Sequence, residues 1–246
     1  MTDATQRYVT GEYLSHNPSW HTEDSSWKAA NILKAIAATG LKPARVCEIG
    51  CGAGEVLSSV HRQMSDTIEF AGFDISPQAL ALAQDRQSPN LSFHLGNPWD
   101  LGLAYDLALV IDVIEHIEDY FTFLRRIARN CSYCIIHIPL EANANCILRH
   151  GELGARRAQL GHIHHFTKDW VFDILRETGF AVIRAEYTCL QIERPPRSKK
   201  QRYGDMMRRW LFHRWPDFTA ALLGGFSLLI VAESRHMNRA LQDVPV

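Results

Sequence analysis

The stretch that most constrains this chain is VCEIGCGAGE, Val46 to Glu55, where an apolar run passes directly into glycines at the alternate positions 50, 52 and 54. Val56, Leu57, Val60 and Met64 follow at helical spacing, so the segment reads as a strand, a tight turn and a helix. Glycines at such a turn let the backbone take left-handed angles and come close to a ligand. A dinucleotide fingerprint needs G-x-G-x-x-G. Counting from Gly50 puts Glu55 in the third place, and counting from Gly52 puts Leu57 there, so both frames fail. What stands instead is an acidic residue, Glu48, ahead of Gly50, Gly52 and Gly54. A carboxylate there repels a pyrophosphate and suits a ligand that carries a positive group.

The alternation continues beyond this unit. IEFAGFD supplies a second strand, and Ser76 then reads as a helix N-cap with Pro77 at the first helical position. LSFH, YDLALVID and YCIIHIP give strands three to five, with a helix marked by Tyr120, Phe123, Leu124 and Ile127 between the last two. A helix from about Thr167 to Gly179 precedes FAVIRAEYT, and FSLLIVAE closes the series. The pattern predicts an α/β fold: a Rossmann-like doubly wound sheet, mostly parallel, with an antiparallel last strand and helices on both faces. A helix from Ser25 to Gly40 comes before the first strand. With 246 residues, 46 % of them apolar, one domain is expected over 1–246. Its parts are an N-terminal cap or lid (1–42), a core (43–192), a basic and aromatic insertion (193–223), and a final strand with a tail (224–246).

Charge and cysteine usage narrow the class. Twenty-six Lys plus Arg against 27 Asp plus Glu leave a net charge of −1, so no global basic field exists to hold a nucleic-acid backbone, and DNA is not expected as a partner. The six cysteines sit mostly in apolar segments, and Cys131 and Cys134 form a lone C-x-x-C, which reads as reduced buried thiols in a cytoplasm. The N-terminus lacks the apolar core of a signal peptide. The apolar run from Phe218 to Ala232 is too short to span a bilayer, so no transmembrane segment is expected.

EIGCGAG resembles the first motif of the class I S-adenosylmethionine (SAM) dependent methyltransferases of small-molecule type, similar to those of ubiquinone biosynthesis. The resemblance runs from Val46 to Phe180. It implies SAM as cofactor, bound by Glu48, Gly50, Cys51, Gly52, Gly54, Asp74, Ile75, Asn97, Asp112 and Val113. Asp74, 20 residues past Gly54, closes strand two where a carboxylate can accept hydrogen bonds from both ribose hydroxyls. GNPWD occupies the adenine-side motif with Asn97 where Asp is common, and Asp112 matches the position beside the methionine part of SAM.

Methyl transfer from a sulfonium is an in-line displacement that sometimes requires removal of a proton from the acceptor. His116, His162 and His165 are the candidate bases, from the loops after strands four and five. Equally, Glu115 and His116 could stitch a loop to the next helix. Asp112-x-x-Glu115-His116 also resembles a metal-assisting segment of the ubiquinone-biosynthesis O-methyltransferases. Short-range carboxylates are more often solvated or capping, and the adjacent His164 and His165 converge poorly on one ion, so no metal is expected. Tyr133 and His137 read as packing residues. The segment with Tyr13, Trp20, His21, Trp27 and Lys28 reads either as a lid over the pocket or as anchors for the first helix.

The insertion Glu193 to Asp217 carries eight Lys and Arg against three acidic residues, and Met206, Met207, Trp210 and Leu211 form an apolar helical stripe within it. That pattern suits an anionic acceptor, an interfacial lipid surface, a partner, or a lid packed down by the stripe. The expected function is methylation of a small-molecule acceptor, anionic or amphiphilic, most readily at oxygen. Rivals are an RNA or protein methyltransferase, a nicotinamide oxidoreductase already weakened by Glu55 and Leu57, and a non-catalytic SAM-binding protein.

Overall fold

The computed structural model describes residues 6, 8–10, 22–193 and 199–237. Tyr13, Trp20 and His21, read above as lid or anchor residues, lie outside them. In chain order the elements are α1 (Ser25–Thr39), β1 (Arg45–Ile49), α2 (Glu55–His61), β2 (Glu69–Asp74), α3 (Pro77–Ala83), β3 (Leu91–Leu95) and β4 (Tyr105–Ile111). Then come α4 (Tyr120–Asn130), β5 (Cys131–Pro139), α5 (Ala144–Leu148), α6 (Glu152–Leu160), α7 (Lys168–Glu177) and β6 (Phe180–Thr188). The last elements are α8 (Leu190–Glu193), α9 (Lys199–Arg214), α10 (Pro216–Leu223) and β7 (Ser227–Ser234).

The seven strands form one sheet in the order β3-β2-β1-β4-β5-β7-β6. β7 enters between β5 and β6 and pairs antiparallel with both, as a strand can when no crossover helix returns it to the starting end. The central strands β1, β4, β5 and β7 are largely buried on both sides, which is why they read as nearly continuous apolar runs, whereas β6 at the sheet edge is exposed along its middle. On β4, Leu107, Leu109 and Ile111 pack under α1, α2 and α3, while Ala108 and Val110 pack with α4 and α7. α1 contributes Ala29, Ile32 and Ile36 to the first layer, and α4 contributes Phe123, Leu124 and Ile127 to the second. Ser76 caps α3 by accepting a hydrogen bond from the Ala79 amide, as its sequence position predicts.

α5 and α6 have no counterpart in the sequence expectation. α5 is only five residues long and α6 buries none of its side chains, so neither leaves an apolar periodicity to detect. Among the described residues, no helix is long and apolar enough to cross a membrane.

Strand order reverses between β1 and β4, and open α/β sheets bind ligands in the crevice this creates at the strands' carboxyl ends. Gly54 holds that geometry from below. It starts α2 at φ +77°, and a Cβ there would stand 2.5 Å from the Phe93 ring. Gly102 is also left-handed, at φ +65°, but has nothing within 4 Å. Gly54→Ala should therefore cost about 2–4 kcal/mol in urea unfolding, from strain plus overpacking, and Gly102→Ala only about 1 kcal/mol. Equal losses would mean that the Phe93 contact yields freely.

Candidate active site

A cleft of about 480 Å³ opens over the carboxyl ends of β1, β2 and β4. The glycine loop forms its floor. The amides of Gly50 and Cys51 donate to the Phe73 carbonyl at 2.8 and 3.0 Å, tying the loop to the end of β2. Asp74 Oδ2 accepts from the Gly52 amide and Oδ1 from the Ser76 amide, each at 2.8 Å. The carboxylate is thereby fixed at the cleft wall. Burial raises the Asp74 pKa above its ordinary value, with those amide bonds pulling the other way. Gly50 leaves room for the neighbouring loop, since a Cβ there would meet Val113 at 2.6 Å.

Of the ten residues expected at the cofactor, nine line the cleft: Glu48, Gly50, Cys51, Gly52, Asp74, Ile75, Asn97, Asp112 and Val113. Gly54 instead faces Phe93 beneath the loop. Asn97 is held in a capping box with Asp100 at the helical turn Pro98–Leu101. Glu48 is almost wholly buried, and its Oε2 accepts from the Leu57 amide at 3.1 Å. Burial outweighs that bond and the charge of Lys28, pushing the Glu48 pKa up to about 8.

Asp112 has φ +55°, the one non-glycine left-handed residue among those described. This turn off β4 is stabilised from two sides. Lys28 Nζ lies 2.7 Å from Oδ2, and His137 Nδ1 lies 2.6 Å from Oδ1. Burial alone would raise the Asp112 pKa, but the charges of His137 and Lys28 hold it well below the usual carboxylate range. His137, expected to be a packing residue, is thus part of the cleft wall, and its Nε2 meets Thr188 Oγ1 at 2.9 Å. Lys28 and Trp27 line the cleft from α1, and Trp27 Nε1 donates to Glu193 Oε2 at 2.5 Å.

A second polar group stands beyond Asp112. The helical turn Ile114–His116 buries Glu115 completely, and neither of its carboxylate oxygens has a hydrogen-bond partner. The Glu115 carbonyl accepts from the amides of Ile163 and His164 at 2.9 and 3.1 Å, which draws the GHIHHF loop onto this turn. There the rings of His116 and His162 meet edge to face at 4.8 Å. Ligand atoms of Glu115, His116 and His162 all lie within 4.8 Å of one another. His162 Nδ1 sits 2.8 Å from Glu141 Oε2, and Arg156 pairs with Oε1 at 2.6 Å. Burial would raise the Glu141 pKa, but His162 and Arg156 bring it down to about 2. An ionised carboxylate only accepts, so His162 donates from Nδ1 to Glu141 and turns Nε2 toward the cleft side of the ring. The same logic applies to His116, whose Nδ1 lies 3.1 Å from the Gly161 carbonyl and 2.9 Å from Tyr8 Oη. Burial and the neighbouring His162 press His116 down to about 4, which leaves it neutral and weakly basic.

Of the candidate bases, His116 and His162 line the cleft and His165 does not. His165 Nδ1 is taken by Glu141 at 2.9 Å. The expectation of no metal considered Asp112, Glu115 and His116 together, and the histidine loop separately. The fold unites Glu115 and His116 with His162 across that division. Glu141, which organises both His162 and His165, went unnoticed in the sequence. Its one signal was a carboxylate just past an apolar strand, ahead of a histidine-rich loop.

The fold and cleft define a methyltransferase domain. The corresponding family model matches residues 20–185, and the chain belongs to that family. Ajmaline N-methyltransferase of Rauvolfia serpentina is 35 % identical over 97 residues, covering 36 % of this chain and 32 % of that protein. Ubiquinone biosynthesis O-methyltransferase of Azorhizobium caulinodans is 32 % identical over 92 residues, covering 35 % of each. The match thus spans about a third of the length of either relative. Among solved structures, magnesium protoporphyrin IX methyltransferase of Synechocystis PCC 6803, crystallised with SAH, superposes with a TM-score of 0.58. It shares 17 % identity over 85 % of this chain and 83 % of that one, a likeness of fold.

The buried Glu48 makes stability depend on pH. Its folded pKa of about 8 exceeds the ordinary carboxylate value, so the folded chain keeps a proton that the unfolded chain releases. That contribution is complete below the ordinary carboxylate range and is lost as pH rises to about 8. Glu48→Gln keeps an acceptor for Leu57. It should melt at a higher temperature than the parent protein near pH 9 and close to it near pH 5, by about these pH values. Parallel melting curves across that range would mean that Glu48 is ionised throughout.

Proposed function

We propose that this protein is a SAM-dependent methyltransferase acting on a hydroxyl of a small anionic or amphiphilic molecule, with a divalent cation held by Glu115, His116 and His162. The observation that carries the cation is Glu115. A fully buried carboxylate without a donor on either oxygen is costly unless something positive sits against it, and the His116 and His162 rings stand beside it.

The cofactor reading rests on the cleft's own donor set. Asp74 has both oxygens fixed by amides and retains lone pairs for a ribose diol. Asp112 stands ionised, and Glu48 and Asp74 beside it would ionise more readily once a positive group enters, which suits an ammonium and a sulfonium. Asp112 would hold the ammonium and Lys28 the carboxylate of a bound methionine group. SAM, when bound, supplies an electrophilic methyl and a neutral leaving thioether. The chain's part is to align the acceptor with that methyl and to exclude water, with Trp27 and His116 on the cleft walls.

One carboxylate and two imidazoles suit a first-row divalent ion such as Mn²⁺ or Zn²⁺ better than an all-oxygen ion, and they leave coordination positions open. A bound cation would supply Lewis acidity that eases ionisation of an acceptor hydroxyl. Glu141, ionised and braced by Arg156, fixes the His162 tautomer needed for ligation. His116, with a pKa of about 4, serves better as a ligand than as a base. His165 has a supporting place on Glu141 and none at the acceptor.

Calorimetry separates the two parts of this reading. SAM should bind, and Asp74→Ala should weaken it by about 1–3 kcal/mol. Mn²⁺, followed by titration and electron paramagnetic resonance, should bind the parent protein, and Glu115→Gln or His162→Ala should lose it by about 10- to 100-fold with SAM affinity kept. Absent Mn²⁺ and Zn²⁺ binding in a protein that binds SAM removes the cation and leaves the transferase. Absent SAM binding removes the whole proposal.

A further inference from the structure

The insertion between β6 and β7 presents its apolar residues outward. α9 turns Asp205, Arg208, Leu211 and Phe212 toward the body of the protein, at the i, i+3, i+6 and i+7 positions of one helical face. Phe212 stacks on Phe226 at 4.8 Å, and the Arg208 guanidinium donates to the Gly224 carbonyl. Met206, Met207 and Trp210 therefore point away, 61, 65 and 63 % exposed. The stripe expected to pack a lid down faces solvent, with only Leu211 on the inner side. α10 extends the outer surface with Phe218 and Leu222, one turn apart, while Thr219 and Ala220 are buried beneath. Trp215 joins the two helices, its ring 6.1 Å from that of Trp210, and the Arg214 guanidinium lies over it at 5.3 Å.

Charge sets the character of this surface. Glu193 to Asp217 holds eight Lys and Arg against three acids, leaving 18 basic and 24 acidic residues elsewhere in the chain. Two of the three acids are paired within the protein and the third is turned inward. Glu193 accepts from Trp27 and from the Cys189 amide, Asp217 accepts from Lys168 and Tyr187, and Asp205 lies on the inner face of α9. What remains outside is a double-helix surface of Trp, Met and Phe rimmed by Arg214 and by Arg209, which is exposed while donating to the Ile192 carbonyl.

We infer that the outer surface of α9 and α10 docks on an anionic lipid bilayer, seating Met206, Met207, Trp210, Phe218 and Leu222 among the acyl chains and Arg209 and Arg214 among the headgroups. An interfacial site needs an apolar face together with cations on the same side, and this pair of helices supplies both. Trp and Arg are suited to the boundary, since each has an apolar body and a polar tip. The surface adjoins the cleft: α10 ends at Gly224, and the next residue, Gly225, lines the cleft, as does Leu190 from α8. On the proposed function, an amphiphilic acceptor dissolved in the bilayer would meet the cleft at this rim.

Flotation with full-length protein tests the idea. Vesicles of phosphatidylcholine with about 30 % phosphatidylglycerol should carry the protein, vesicles of phosphatidylcholine alone should not, and about 0.5 M NaCl should release it. Trp210→Ser with Phe218→Ser should lower the bound fraction about tenfold or more, and Arg209→Glu with Arg214→Glu should do likewise, about fivefold per charge removed. SAM calorimetry on each variant reports folding and the cofactor site independently, so failure of docking is distinguishable from failure of the transferase reading. The inference falls if protein that is folded by circular dichroism ignores the anionic vesicles, or if both double variants bind them unchanged. It also falls if sedimentation velocity shows a dimer that Trp210→Ser dissolves, which would assign the surface to a second copy of the chain.

Discussion

The arrangement of this cleft depends on the pairing of Asp112 with Lys28 and His137. The residue after β4 stands at left-handed angles, a conformation uncommon for non-glycine residues that its contacts here hold in place. Two charge-assisted contacts, one from α1 and one from β5, supply that hold. The consequence extends along the chain, because the turn after Asp112 sets Val113 against Gly50 and buries Glu115 one helical turn later. Glu115 in turn collects the loop that carries His162. A single ion pair thus fixes the relative placement of the glycine loop and the histidine cluster.

Glu48, Asp74, Asp112 and Glu115 are four carboxyl groups brought to one cleft by adjacent strand ends. Only Asp112 has cationic partners in contact. Burial raises the pKa of Glu48, Asp74 and Glu115, and for Glu115 the charge of Asp112 adds to the effect. In the folded chain these groups favour protonation until a positive charge enters. Such a cleft stores a preference for cations that stability alone would not select, since replacing the carboxylates by neutral groups of similar shape would relieve the strain.

The sheet was legible in the sequence because its central strands are buried on both faces and its first crossovers are short. Val46 to Ile49, interrupted only by Glu48, and Leu107 to Ile111 read as apolar runs, and Ser76 and Thr167 announce their helices by side-chain caps. The glycine loop and Asp74 were legible for a related reason, since backbone geometry at fixed offsets leaves a local signature. The histidine cluster was not. His162 reaches Glu115 only because α5 and α6 fold the intervening 20 or so residues into a compact excursion, and those helices have too little buried surface to leave a pattern. Glu141 was invisible as a hub because its three partners, Arg156, His162 and His165, lie far along the chain from it.

The insertion illustrates a different limit of sequence reading. Helical periodicity correctly groups Met206 with Trp210, yet period alone carries no sign: an apolar stripe can cover a core or face outward. The sign is set by what the helix has to satisfy underneath. Here the inner face must cap the Gly224 carbonyl and cover the Phe226 ring, and Arg208 and Phe212 do both, one by a donor and one by stacking. With that face committed, the remaining apolar residues are left on the opposite side, where only a second surface can bury them. Their exposure follows from the chemistry of the β7 entry, a demand that no residue within the stripe reveals.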